Sequence, residues 1–209
     1  MSTEICKTSL VQAESKMWKF VLKGNFNMKA NFYISDTHFG HKNILKYDNR
    51  PYFTVAEMDA DLIKRWNNAV KPTDTVYHLG DFSWLKPAEE SEILQQLNGT
   101  KILIRGNHDY KPTAEWADIM PYAEIDDKGR RVVLSHFPIA AFKNMEHGWF
   151  HLYGHIHNTF DDGLFEAYRD AWEKQKQKKM MSCNVGCMQP YMDYTPRTLD
   201  EIIGFRRWA

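Results

Sequence analysis

Five times along this chain a strand-like apolar run stops and the residues that follow are Asp, Asn or His. The runs ANFYIS (30–35), TVYHL (75–79), KILIR (101–105), RVVLS (131–135) and WFHLY (149–153) lead into Asp36/His38, Asp81, Asn107/His108, His136 and His155/His157. In open α/β sheets, ligands bind beyond the carboxyl ends of the strands. Strand-end placement therefore lets residues far apart in sequence converge on one rim. Carboxylate, imidazole and amide oxygen are ligands for first-row transition ions, and the lack of cysteine among them argues against a structural zinc site. Each piece alone is weak: Gly-Asp is usually a turn, and a single histidine is usually a solvated or satisfied core residue. In Gly154-His155-Ile156-His157, strand alternation would put both histidines on one face. It is the ordered set that carries the signal.

The intervening segments read as α/β. Thr54 and Glu57 form a capping box opening a helix to about Ala69, with Met58, Leu62, Ile63 and Trp66 as its apolar stripe. A second helix is expected from Pro87 to about Leu97, a short one near Ala114–Met120, a longer one over Leu164–Lys179 and a terminal one near Leu199–Arg206. Further strands are expected at Tyr122–Ile125 and Met180–Val185. Strands and helices alternate early and strands dominate the middle, which suggests a layered α/β sandwich rather than a bundle or a barrel. Residues 1–27 read as an appendage, with a strand inside MWKFVL as the alternative, and residues 28–209 as one domain.

Composition excludes several classes. Lys plus Arg (27) balances Asp plus Glu (27), so no global charge draws the chain to long nucleic acid or anionic lipid. No apolar run reaches the ~18 residues of a membrane span, and the N-terminal segment lacks the apolar stretch of a secretory signal. Cys6, Cys183 and Cys187 form no CxxC pair and read as reduced thiols, so a cytoplasmic location is expected.

Ser35-Asp36-Thr37-His38-Phe39-Gly40-His41, Leu79-Gly80-Asp81, Arg105-Gly106-Asn107-His108-Asp109, Ser135-His136 and Gly154-His155-Ile156-His157 occur in that order. On these motifs, and on Asn184-Val185-Gly186 as a closing strand, residues 28–203 resemble the calcineurin-like metallophosphoesterase superfamily, in particular its small single-domain bacterial and phage members. The resemblance implies a four-layer α/β/β/α sandwich of two mixed β-sheets flanked by helices, with a dinuclear metal centre on the rim between the sheets. It implies that Asp36, His38 and His157 hold one metal, that Asn107, His136 and His155 hold the other, and that Asp81 bridges them, one carboxylate oxygen for each ion. Such ligands admit Mn²⁺, which is favoured, or Fe²⁺, Zn²⁺, Ni²⁺ or Co²⁺. A hydroxide between two ions would attack the phosphorus.

His108 resembles the family's catalytic histidine, expected to protonate the leaving oxygen. Asp109 could orient it by accepting a ring hydrogen bond, or could cap a turn. Arg105 could reach a phosphate through its guanidinium fork, or pack against another loop. His41 could face substrate or solvent. His78 reads as a core histidine, and Phe165, Tyr168 and Trp172 as core contact or nucleobase stack. The expected activity is hydrolysis of a small phosphoester, a diester slightly favoured. A nuclease or nucleotide-processing hydrolase is the alternative. A non-catalytic binding module is disfavoured because His108 and all seven ligands are present.

Overall fold

The computed structural model describes residues 29–206. The expected N-terminal appendage and the alternative strand in MWKFVL lie outside them. In chain order the elements are β1 (Asn31–Ile34), α1 (Ile44–Tyr47), α2 (Val55–Ala69), β2 (Thr75–His78), α3 (Pro87–Gln96), β3 (Thr100–Ile104), β4 (Asp118–Met120), β5 (Tyr122–Asp127), β6 (Arg130–Ser135), a 3₁₀ turn (Met145–His147), β7 (Phe150–Tyr153), α4 (Phe160–Lys176), β8 (Ser182–Asn184), β9 (Arg197–Thr198) and α5 (Leu199–Arg206).

The strands form two mixed sheets. The first has the order β4-β3-β2-β1-β9, parallel except for β9; the second has the order β5-β6-β7-β8, with only β5 antiparallel. Parallel strands buried on both faces read as near-continuous apolar runs, and β2 and β7 are of this kind. One apolar cluster runs through both sheets: Val132, Leu134 and Leu152 come from the second, while Phe32, Ile34, Val76 and Leu103 come from the face of the first opposite Tyr33, whose hydroxyl donates to Asp127 of β5 (3.0 Å). The sheets are joined where β1 ends: Ser35 N donates to Val185 O (2.9 Å) and Cys187 N donates to Ser35 O (2.8 Å). That seam brings both sets of strand ends to one rim.

Helix α2 starts as the capping box requires. Thr54 accepts from Glu57 N and buries Met58, Leu62 and Trp66 behind it. In return Phe53 N donates to the Glu57 carboxylate (3.0 Å). Helix α4 starts earlier than expected, because Thr159 caps it by accepting from Asp161 N. It packs through Phe165 on Tyr153 (ring centroids 5.0 Å) and through Trp172 on the smaller cluster of Val133, Phe142, Met145 and Met180. The aromatic stripe is thus a packing face.

One expected helix is absent: residues 114–120 instead turn into β4, which pairs Asp118–Met120 with Ile102–Ile104. The open edge of β3 offers this segment backbone partners directly.

Candidate metal centre

The rim where the sheets meet is built from loops that need unusual backbone. Asp36, His38, Asp81, His155 and His157 all have positive φ, between 47° and 70°. Non-glycine residues seldom adopt this region, and such strain concentrates at functional sites. Two glycines permit the close approach. A side chain at Gly80 (φ +91°) would overlap the Gly106 backbone and the His136 ring, and one at Gly154 would overlap Ser35 and the Asp36 carboxylate.

Asp36 ties three strand ends together. Its N–H donates to Gly80 O (3.0 Å) and its two carboxylate oxygens accept from His155 N (3.2 and 3.0 Å). Asp36, His38 and His157 form one group whose potential ligand atoms lie within 4.8 Å of one another; Asp81, His136 and His155 form a second group of the same kind. Asn107 joins the second, its Oδ1 2.9 Å from His136 Nε2. All seven expected ligands therefore meet on one rim. Asp81 sits between the sets. Its Oδ1 accepts from His108 N (2.8 Å), while Oδ2 alone faces both sides, 3.9 Å from His38 Nε2 and 3.6 Å from His136 Nε2. Oδ2 is thus the Asp81 oxygen that lies between the two groups.

The donor chemistry fits cations. His38 Nε2 and His157 Nε2 face each other at 3.4 Å beside the buried Asp36 and Asp81 carboxylates, so nitrogen and oxygen donors converge on one point. Burial raises the pKa of Asp36, but the hydrogen bond and charge of His157 outweigh it and hold the carboxyl below its usual range. Burial lifts Asp81 to about 6, with His136 pulling down and Asp36 pushing up. Burial alone would lower His157, yet Asp36 and Asp48 on either side raise it to about 10, a proton that a cation at Nε2 would replace. The other ring nitrogens are oriented from behind: His136 Nδ1 lies 2.7 Å from Leu79 O, and His157 Nδ1 lies 2.6 Å from Asp48 Oδ1.

Asp48 and Arg50 are the residues that motif reading missed. The buried Arg50 donates through Nε and Nη2 to Asp48 Oδ2 (3.0 and 2.9 Å), through Nη1 to Thr37 O (2.7 Å) and through Nη2 to Asp36 O (2.8 Å). It clamps the Asp36–His38 loop and fixes the carboxylate that holds His157. The available signal was an Asp and an Arg two positions apart, shortly after the first metal motif.

His108 stands beside the centre with Nε2 3.9 Å from Asp81 Oδ2. Its ring meets Trp84 (centroids 4.4 Å), which also stacks flat on His41 (4.2 Å, 10°). A basin of about 730 Å³ opens over the metal groups, lined among others by His41, Lys42, Tyr47, Trp84 and His108. His41 thus faces the site. For two residues the hydrogen bonds decide between the two readings that the sequence left open. The Asp109 carboxylate accepts from Asp81 N (2.8 Å), Phe82 N (3.0 Å) and Gly106 N (2.8 Å), and His108 Nδ1 has no partner, so Asp109 clamps two loops rather than orienting the ring. Arg105 donates to the carbonyls of Asp109 (2.8 Å) and Tyr110 (2.9 Å) and is absent from the basin lining, so it braces the loop instead of meeting phosphate. His78 is a core residue, with Nε2 3.0 Å from Thr37 Oγ1.

Comparison with known proteins agrees with this geometry. Residues 30–200 match the calcineurin-like phosphoesterase superfamily domain. The chain is 37% identical over 180 residues to the uncharacterized protein MJ1445 of Methanocaldococcus jannaschii, covering 85% of this chain and 91% of that one. It is 38% identical over 85 residues to the gene 66 protein of Mycobacterium phage L5, covering 39% of this chain and 41% of that one. Among solved structures, a protein of unknown function from Aquifex aeolicus, AQ665, superposes with a TM-score of 0.64 at 27% identity, covering 85% of this chain and all of the other. The match over most of the chain and the two-sheet fold agree: this chain belongs to the calcineurin-like phosphoesterase superfamily.

Proposed function

We propose that the protein is a dinuclear metal-dependent phosphoester hydrolase that prefers small phosphodiesters. The observation that carries this is Asp81 Oδ2, within 3.9 Å of a histidine from each ligand group and of His108. Asp36, His38 and His157 would hold one cation, Asn107, His136 and His155 the other, with Asp81 shared; manganese is favoured. Two such cations neutralise the anionic oxygens of the ester and acidify a bound water.

The chain's own groups do the rest. His108 Nε2 points to the same side as Asp81 Oδ2 and donates the proton that the leaving oxygen needs. Lys42 is the sole Lys or Arg lining the basin among the described residues, since Arg105 is engaged elsewhere. One lysine beside the metals suits the single charge of a diester better than the double charge of a monoester. Tyr47 and Trp84 expose ring surface at the basin, which favours nucleotides among the diesters. The balanced charge speaks against long nucleic acid. No described helix is long and apolar enough to cross a membrane, and with the buried thiols Cys183 and Cys187 this supports a cytoplasmic enzyme.

The test is a metal-reconstituted screen across cyclic nucleotides, dinucleotides, sugar nucleotides, short oligonucleotides and phosphomonoesters. Hydrolysis that needs Mn²⁺, is abolished by a chelator and is fastest on a small diester is expected. No hydrolysis of any ester with Mn²⁺, Fe²⁺, Zn²⁺, Ni²⁺ or Co²⁺ would refute the proposal.

A further inference from the structure

His108 and Trp84 form a wall with space on both sides. On one side is the metal basin; on the other is a second cavity of about 270 Å³. That is slightly below the roughly 300–1,000 Å³ of sites holding a whole small ligand, and suits one moiety of a substrate. Its surface is largely ring and alkyl: Trp84, Leu85, Pro87, Tyr110 and Pro112. The rings of Trp84 and Tyr110 flank the His108 imidazole, at centroid distances of 4.4 and 6.4 Å.

The two acids that line the cavity are already engaged. Glu90 lies 2.5 Å from the Ser83 hydroxyl and accepts from Trp116 Nε1 (3.3 Å) and Thr113 N (3.4 Å). The Asp109 carboxylate takes three backbone N–H groups. Neither is left to recognise a cation or to bind sugar hydroxyls strongly. Lys111 is the cationic residue of the lining. A compact apolar ring fits this chemistry better than a second phosphate or a polyol.

Taking the hydrolase reading as given, we infer that this cavity is the leaving-group subsite, and that the preferred substrates are phosphoesters whose departing alcohol carries a flat apolar or aryl group. In the reaction, the oxygen of water bonds to phosphorus and gives up a proton to solvent, from which His108 regains the one it donates. The bond from phosphorus to the ester oxygen breaks with its electron pair left on that oxygen, which takes a proton from His108. The departing oxygen must therefore lie within reach of His108, and whatever it carries can extend past that ring into the cavity. The phosphoryl half stays on the basin side with the ligand groups and Lys42.

The test pairs two methyl phosphodiesters, one with a 1-naphthyl and one with a trifluoroethyl leaving group, on the metal-reconstituted protein. Intrinsic reactivity cancels when a cavity-filling variant is compared with the parent. Pro112→Trp should lower the naphthyl-to-trifluoroethyl ratio of kcat/KM by about tenfold. Lys111→Trp, at an exposed position of the same lining, should shift the ratio the same way and serves if the first variant does not fold. A ratio within about twofold of the parent in a folded variant overturns the subsite. Calorimetric titration with 1-naphthol reads the cavity without turnover: binding that weakens in the variant supports it, and binding that is equal in both overturns it. If neither ester is hydrolysed while naphthol binding still responds to the variant, the hydrolase reading fails and takes the leaving-group role with it, leaving the cavity a binding site for a flat apolar ring.

Discussion

The Asp48 carboxylate lies 2.6 Å from His157 Nδ1, and Arg50 holds that carboxylate by two further bonds of 3.0 and 2.9 Å. The pair fixes which imidazole nitrogen faces the centre, as carboxylates behind metal-bound histidines do, and losing such a partner costs about 10–100-fold in metal affinity. Asp48→Asn should therefore weaken one of two binding events in a Mn²⁺ titration by about that factor and leave the other nearly unchanged. Equal weakening of both, or of neither, would contradict the local role.

His108→Ala should leave metal content intact while slowing hydrolysis of an ester with a poor leaving group by about 10²–10⁴-fold. The loss should shrink for an activated aryl ester, whose oxygen departs without a proton. Steady-state kinetics across a leaving-group series, with elemental analysis alongside, checks both halves.

Asp109 accepts three backbone N–H groups from the loops that carry Asp81 and Asn107. Hydrogen bonds to an ionised group contribute about 1.5–3 kcal/mol each. Asp109→Ala should therefore cost about 3 kcal/mol or more in urea unfolding and loosen both metal sites together. If activity fell with stability and metal binding unchanged, a direct role on His108 would be favoured instead.

The convergence of the seven candidate ligands was legible because each follows a strand, and strands are the most periodic segments of this sequence. Its spatial meaning came from the rule that such ends share a rim. The Asp48–Arg50 clamp was not legible: Asp48 meets His157 across 109 residues from a short helix end, where Asp-Asn-Arg-Pro reads as an ordinary turn. Arg105 and Asp109 stayed between two readings because motif reading gives proximity to the site but not direction; Arg105 turns onto its own loop and Asp109 onto the loops of Asp81 and Gly106. Strand β4 was missed because three residues carry no usable period and its pairing with β3 is tertiary. The turn of Asp81 Oδ1 toward His108 N depends on backbone with positive φ, which Asp and His do not announce.

Two buried histidines outside the ligand set bear on acid stability. His151 packs Nε2 at 2.9 Å from Ser135 Oγ, and burial lowers its pKa to about 3; burial lowers His78 to about 4. Their folded values lie below the ordinary 6.5, so the unfolded chain binds more protons. The stability they contribute is full above about 6.5 and is lost as pH falls toward 4 and 3, at about 1.4 kcal/mol per pKa unit each at most. Urea unfolding of metal-free protein should show a falling midpoint from pH 7 to pH 4.5. The slope should be shallower in His151→Gln, and a flat profile in the parent would contradict the assignment.

The central claim is that two cations share Asp81, and counting and locating them tests it most directly. Anomalous diffraction from Mn²⁺-reconstituted crystals should show two peaks per chain, one among Asp36, His38 and His157 and one among Asn107, His136 and His155, with Asp81 Oδ2 bonded to both. A single peak, or two peaks with Asp81 bonded to neither, would contradict it.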